Sequence, residues 1–199
     1  ETLNKILTPL NDNPIFNSNS FREDKEKNIQ KIIFTSLHQV YFQLLEKLGY
    51  DNEECKSITE YNFLFEDKNS KTISNLIFMG TGHRPDLTIK VPVRKTKDYT
   101  LSDSKEYVSI GIEIKQGDKG VDVRSGLGQC LVYSYAFDFV VYIFIDKSND
   151  QSILRSYTEI FDSNEIKVPD KDDFNNPTTP EQHLIGSLWE NHNCLLVVK

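Results

Sequence analysis

The 199-residue chain carries 23 Lys and Arg against 30 Asp and Glu, a net charge of −7, with 38% apolar and 27% charged residues. The length fits one domain, or one with a decorated edge, and the composition is ordinary for a soluble chain. It excludes a helix of the ~20 consecutive apolar residues that a bilayer requires, and a protein that coats nucleic acid by bulk positive charge.

The opening Glu1 to Lys5 has no apolar secretory core, so no leader peptide is predicted. Three scattered cysteines, Cys55, Cys130 and Cys194, make neither a disulfide framework nor a zinc site. The expectation is an intracellular protein, cytoplasmic or nuclear rather than secreted, with no membrane partner. Charge is unevenly spread. Residues 1–70 hold 8 basic and 12 acidic side chains, residues 71–145 hold 10 and 8, and residues 146–199 hold 5 and 10. Only the middle stretch is net positive.

Residues 1–20 are rich in Asn, Ser and Pro and read as an irregular N-terminal arm. From Lys27, Ile29, Ile33, Leu37, Val40, Leu44 and Leu48 recur at helical steps, with Gly49 as a stop. Asp51 to Lys56 is a polar stretch. Tyr61 to Phe65 and Ile73 to Met79 read as short strands around a turn at Asp67 to Ser70. In the next strand, Leu87, Ile89, Val91 and Val93 alternate with Asp86, Thr88 and Lys90. In the one after, Val108, Ile110, Ile112 and Ile114 alternate with Ser109, Gly111, Glu113 and Lys115. Lys95 to Lys105 is a charged loop, and Gln116 to Gly120 a turn. A helix is predicted over Ser125 to Ala136, despite Gly126 and Gly128. Phe139 to Ile145 has the near-continuous apolar run of a strand buried on both faces. Helices over Ser152 to Phe161 and Glu181 to Glu190 flank an acidic loop, Asp170 to Thr179, and Cys194 to Val198 is a last strand. The order implies an α/β sandwich around a mixed sheet. Its parts are the arm (1–20), a core (21–146) and a C-terminal α/β extension packed on it (147–199).

Two carboxylates, Asp86 and Glu113, fall on neighbouring strands. With period-two pleating they emerge with Lys115 on one side of the sheet, if the apolar faces align. Two close carboxylates repel unless a cation neutralises them. A hard cation such as Mg²⁺ takes one or two carboxylates, a backbone carbonyl and waters, and the Ile114 carbonyl is placed to supply the main-chain ligand. A cation there lowers the pKa of a water and offsets charge on phosphate, and Lys115 would position or help deprotonate that water. An acid two residues before Lys recurs at 23–25, 54–56, 66–68, 103–105, 113–115 and 165–167, so the tripeptide alone says little. Only Pro85-Asp86 with Glu113-Ile114-Lys115 places both elements on clean alternating strands in order. Gln129 and Tyr133, four apart, share one face of the next helix.

Together, Pro85-Asp86, Glu113-Ile114-Lys115 and Gln129-x-x-x-Tyr133 resemble the PD-(D/E)xK nuclease superfamily, in its RecB-like branch with the Q-x-x-x-Y motif. The helix ending in Leu48-Gly49-Tyr50 is similar to the nuclease domain of type I restriction subunits. The resemblance covers residues 27–146. It implies a restriction-endonuclease-like αβββαβ core, Mg²⁺ or Mn²⁺, and hydrolysis of phosphodiester bonds in DNA, less often RNA. Carried over by position, Asp86, Glu113 and the Ile114 carbonyl bind metal and Lys115 is catalytic. Gln129 and Tyr133 orient the site or touch the strand. Many members add an acid or His from the first helix; here Glu26, His38 and Glu46 are candidates, and none has the required spacing. No phosphate-binding Gly-x-x-x-x-Gly-Lys-Ser/Thr loop occurs.

Blander readings stand beside these. The other reading of the three charged groups is a solvated strand face with a surface ion pair, and of Gln129 and Tyr133 a helix face packed on the sheet. His38 reads as a semi-buried core His and Trp189 as packing. His83 and Arg84 either contact phosphate or end a loop. The basic run Lys90, Arg94, Lys95 and Lys97 either tracks a backbone or is solvated. Lys119 and Arg124 either face substrate or border a turn. The alternative function is a catalytically silent nuclease-fold module binding nucleic acid or protein, a role open to a domain of a larger protein. A dimeric structure-selective resolvase would call for a more basic footprint.

Overall fold

The computed structural model describes residues 1–65, 76–78, 81–161, 168–169, 174 and 177–199. The stretch expected to be an irregular arm is helical. α1 (Thr2–Asp12) buries Leu3, Ile6, Leu7 and Leu10, the one-sided spacing of an amphipathic helix. Pro9 lies inside it, and the frequent Asn residues mask that period. A 3₁₀ turn (Pro14–Asn17) and α2 (Asn19–Glu23) follow, capped by the Asn13 and Ser18 side chains. Phe16 and Phe21 meet edge to face, with ring centroids 5.1 Å apart. All six apolar residues join the core beneath α3.

α3 (Glu26–Lys47) buries Ile29, Ile33, Leu37, Tyr41 and Leu45. It ends at Gly49, whose φ of 89° suits a residue without Cβ. The polar stretch after it forms the first turns of α4 (Asn52–Asn62). Asp51 accepts from the Glu54 N–H at 2.9 Å, and Glu54 accepts from the Asp51 N–H at 2.8 Å. This reciprocal cap offsets the low helix propensity of the segment. The strand expected over 61–65 therefore shortens to β1 (Phe63–Phe65). Within the strand expected over 73–79, Leu76–Phe78 is β2, which pairs with β3 (Thr81–His83) as a separate hairpin. Positions 73–75 and 79, and the turn read at 67–70, lie outside the described residues. So does most of the acidic loop read at 170–179.

β4 (Leu87–Pro92) and β5 (Tyr107–Gly117) form where the alternation predicts them. β5 runs on through Gln116 and Gly117, residues read as a turn. α5 (Gly120–Tyr133) starts earlier than expected. β6 (Phe139–Asp146), α6 (Ser152–Phe161), α7 (Pro180–His192) and β7 (Cys194–Val198) complete the order. The main sheet is mixed, in the order β1-β4-β5-β6-β7. β1, β4 and β5 pair antiparallel, whereas β5, β6 and β7 run parallel. β7, from the C-terminal extension, is thus an edge strand of the same sheet. Among the described residues no helix is long and apolar enough to cross a membrane.

Each face of the sheet has its own core. On one, α1, α3 and α4 cover Leu87, Ile89, Ile110, Ile112, Ile114, Val141 and Ile143. On the other, α5 and α7 cover Val140, Tyr142, Phe144, Cys194 and Leu196. β6 is buried on both faces, which accounts for its unbroken apolar run.

Gly126, unexpected inside a helix, is explained by close approach. A Cβ there would collide with the ring and hydroxyl of Tyr142, which is fully buried and donates to the Asp122 carbonyl at 3.3 Å. Gly126→Ala is expected to destabilise the fold by about 1–3 kcal/mol, the usual range for overpacking. Urea unfolding checks this. Adding Tyr142→Leu should recover part of the loss if the collision is its cause.

Candidate active site

β4 and β5 set the site by register. Leu87 is opposite Ile112, and both face the α3 core. The next position on β5, Glu113, therefore turns toward α5, and so does Lys115. Asp86 lies just before β4 rather than within it. Pro85 lacks an N–H and cannot extend the ladder as a donor. The Asp86 side chain takes over there: its Oδ2 accepts from the Ile114 N–H at 2.7 Å. Its Oδ1 accepts from Gln30 Nε2 of α3 at 3.0 Å.

Both acids are inside the protein. Asp86 is 7% exposed and Glu113 1%, whereas the Lys115 side chain is 31% exposed. Lys115 Nζ lies 2.8 Å from Glu113 Oε1. Burial, reinforced by the Glu113 charge, pushes the Asp86 pKa up to about 7, against the pull of the Ile114 hydrogen bond and Lys115. For Lys115, burial opposes the charge, but the hydrogen bond to Glu113 and the charges of Glu113, Asp86 and Glu26 outweigh it and raise its pKa. The three groups thus form an acid pair inside and an ammonium at the rim.

Tyr133 reaches the same place. Its hydroxyl donates to the Arg84 carbonyl at 2.7 Å, which ties α5 to the segment leading into Asp86. Burial, then the charge of Glu113, raises its pKa well above the ordinary phenol. Gln129, one turn earlier, is half-buried, and no hydrogen bond among the described residues joins it to Asp86, Glu113 or Lys115. The motif partners thus separate: Tyr133 is braced against the site, and Gln129 lies along its helix.

The three first-helix candidates also separate. Glu26 acts electrostatically on both Asp86 and Lys115. His38 packs edge to face on Phe63, with centroids 5.3 Å apart, and Glu46 lies near Cys55. Gln30 was not singled out from the sequence, although its i+4 spacing from Glu26 puts both on one helix face. Among the described residues no group of three or more His, Cys, Asp or Glu side chains is placed to hold a metal ion. The candidate donors are two carboxylates and the Ile114 carbonyl.

Lys90, Arg94 and Lys95 of the basic run make contacts within the fold, whereas Lys97 is exposed. Lys90 Nζ donates to the Leu101 carbonyl at 3.1 Å and lies over the Tyr107 ring. Arg94 faces Glu106 at 3.7 Å, and Lys95 pairs with Glu54 at 2.9 Å. His83 sits on β3, opposite Leu76. Trp189 packs as expected, stacked on Phe139 with Nε1 donating to the Pro169 carbonyl at 3.0 Å.

Compared with protein-family models, curated proteins and solved structures, the chain matches none.

The raised pKa of Asp86 has a consequence for stability. A carboxyl that holds its proton up to about 7 in the fold, but releases it near 3.8 when unfolded, leaves the native state with more bound protons between those values. Stability contributed by this group therefore falls as pH rises from about 4 to 7. Without divalent cations, Asp86→Asn should flatten that decline and be more stable than the wild type at pH 7. Urea unfolding across this range tests it; an unchanged slope would refute the assignment.

Proposed function

We propose that the chain is a metal-dependent nuclease that hydrolyses phosphodiester bonds in nucleic acid, with DNA as the expected substrate ahead of RNA. One observation carries this reading: Asp86 and Glu113, at the ends of paired strands, meet with Lys115 at the solvent rim. The helix α3, the antiparallel β1, β4 and β5, the helix α5 and the parallel β6 also support the αβββαβ reading, with α4 and the β2–β3 hairpin inserted.

The donor set fits Mg²⁺ or Mn²⁺ in kind, since hard cations take carboxylate and carbonyl oxygens and keep several waters. Burial and the Glu113 charge hold Asp86 near neutrality in its protonation balance, a strain that a bound cation relieves. Asp86 and Glu113 would hold the ion. In a strand, the N–H and C=O of one residue face the same neighbour. Because Ile114 points its N–H at Asp86, its carbonyl faces the same open end of the ladder. When bound, the ion supplies an acidified water and charge for a phosphorane-like transition state.

The protein residues do the rest. Lys115, released from Glu113, holds a positive charge beside the phosphate and orients the attacking water. Gln30 fixes one Asp86 oxygen, so the other carboxylate face is presented in a single orientation. Tyr133 holds the Arg84 to Asp86 segment against α5. Burial of the acids keeps bulk water from competing around them.

A second reading, a silent nuclease-fold module that binds nucleic acid or protein, is favoured by the lack of a three-acid cluster among the described residues. Calorimetry with Mn²⁺ separates the two, since a silent site shows no binding that depends on Asp86 and Glu113.

With Mg²⁺ or Mn²⁺, the purified chain is expected to cut at least one substrate in a panel of circular and linear DNA and RNA. Asp86→Ala, Glu113→Ala and Lys115→Ala should each lower the rate about 10²–10⁴-fold, with folding verified by circular dichroism. If every substrate stays intact with either metal, the enzyme reading fails; full activity in Lys115→Ala overturns the role given to that residue.

A further inference from the structure

A second site lies along the same edge of the sheet. At the carboxyl ends of the parallel strands, α2 and the turn after β6 enclose a pocket of about 190 Å³. Asn19, Arg22 and Glu23 line one side; Asp146, Lys147 and Asn149 line the other. Lys199, which follows β7, is buried close enough to Arg22 to feel its charge.

Two acids, Glu23 and Asp146, share the lining with the cations, and the charge of Lys147 also acts on Asp24. Among the described residues, the ion pairs involve neither Arg22, Lys147 nor Lys199. Arg22 Nε is buried with no hydrogen-bond partner, while Nη1 donates to Asn19 Oδ1 at a long 3.4 Å. Among the described residues, Lys147 Nζ donates to a main-chain oxygen, that of Asp24, at 3.3 Å. Of the two acids, Asp146 is already occupied. Its Oδ1 accepts from the Ser148 N–H and hydroxyl at 2.8 and 2.6 Å, and its Oδ2 from the Leu154 N–H at 2.8 Å. Glu23 is exposed at the end of α2.

A buried guanidinium nitrogen without an acceptor is costly. The guanidinium that lines the pocket has a planar fork that matches phosphate oxygens. The carboxyl ends of parallel strands are also where α/β sheets hold ligands.

The pocket is joined to the candidate active site. The Lys147 N–H donates to the Gly117 carbonyl at 2.8 Å, two residues past Lys115 on the neighbouring strand. The Gln116 side chain, its amide turned to suit its neighbours, bridges the Asp24 carbonyl and the Glu26 N–H at 3.1 Å each. We propose that this pocket binds a phosphate of the nucleic-acid strand next to the scissile one, with Arg22 and Lys147 as its principal ligands. The assignment to a strand rests on the nuclease reading; the phosphate chemistry does not.

The experiment therefore has two arms on the full chain. In the first, inorganic phosphate should raise the melting temperature of the wild type at constant ionic strength, and the rise should vanish in Arg22→Met and in Lys147→Met. No rise in the wild type, or a rise retained in both variants, overturns the site. Should Arg22→Met not fold, Lys147→Met alone decides. In the second arm, a labelled DNA oligonucleotide is titrated in a Lys115→Ala background. Adding Arg22→Met or Lys147→Met should weaken binding about tenfold and lower the salt slope by about one. A phosphate effect with unchanged oligonucleotide binding overturns the strand assignment and leaves a free-anion site. A positive first arm without any cleavage in the substrate panel sinks the nuclease reading alone.

Discussion

The hydrogen bond from the Ile114 N–H to the Asp86 carboxylate is the constraint on which the candidate site depends. It stands where a strand pair runs out. β4 starts at Leu87, Pro85 has no N–H, and β5 continues for five residues beyond Ile112. A buried backbone donor at such a place must find an acceptor, and an acidic side chain one residue before the strand supplies it. The same bond that completes the sheet draws a carboxylate into a low-dielectric setting beside Glu113. Structure and electrostatic stress thus arise from one contact. A register slip of one residue would send Glu113 and Lys115 into the α3 core and leave the isoleucines facing α5. The apolar face of β5, packed by Ile110, Ile112 and Ile114, forbids that slip.

What was legible in the sequence was what repeats. The alternation in β4 and β5 and the helical period of α3 are carried by many residues, so local exceptions do not hide them. The capping pair Asp51 and Glu54 fits a helix start, but Asp51 to Lys56 lacks an apolar period and reads only as a polar stretch. α1 was missed because Pro9 and scattered Asn residues obscured a period that Leu3, Ile6, Leu7 and Leu10 keep. α5 starts before Ser125, where the Lys119 N–H donates to Asp122 Oδ2 at 3.2 Å, a contact that the turn-like Gly117 and Gly120 conceal. Its glycines argue against a helix in isolation, and only the approach of Tyr142 to Gly126 explains why one is kept.

The site itself was legible at the level of its acids and lysine, since strand period and register determine which side chains meet. Its supports were not. Gln30 comes from a helix more than fifty positions away from Asp86, and no local pattern marks which glutamine on α3 will face the strand ends. Tyr133 was found by its spacing from Gln129, but its bond to the Arg84 carbonyl depends on how α5 crosses the sheet. The basic run around Lys95, read as either tracking a backbone or solvated, is divided by the fold. Sequence proximity groups its charges, whereas the fold distributes them among Glu54, Glu106 and the Leu101 carbonyl.

An acidic chain can still serve a polyanion if its cations are concentrated where the substrate lies, because exposed charges more than about 8–10 Å apart are largely screened at physiological salt. The fold performs such a concentration by bringing together remote parts of the chain. Arg22 comes from the N-terminal helices, Lys115 from β5, Lys147 from the end of β6 and Lys199 from beyond β7. All four reach the carboxyl edge of the parallel strands. On the nuclease reading, this gives the N-terminal helices and β7 a shared purpose. Their apolar residues bury the two faces of the sheet, and Arg22 lines the pocket at its edge while Lys199 is buried near it. Segment charge counted along the sequence could not show this, since Arg22 and Lys199 lie in the two acidic stretches.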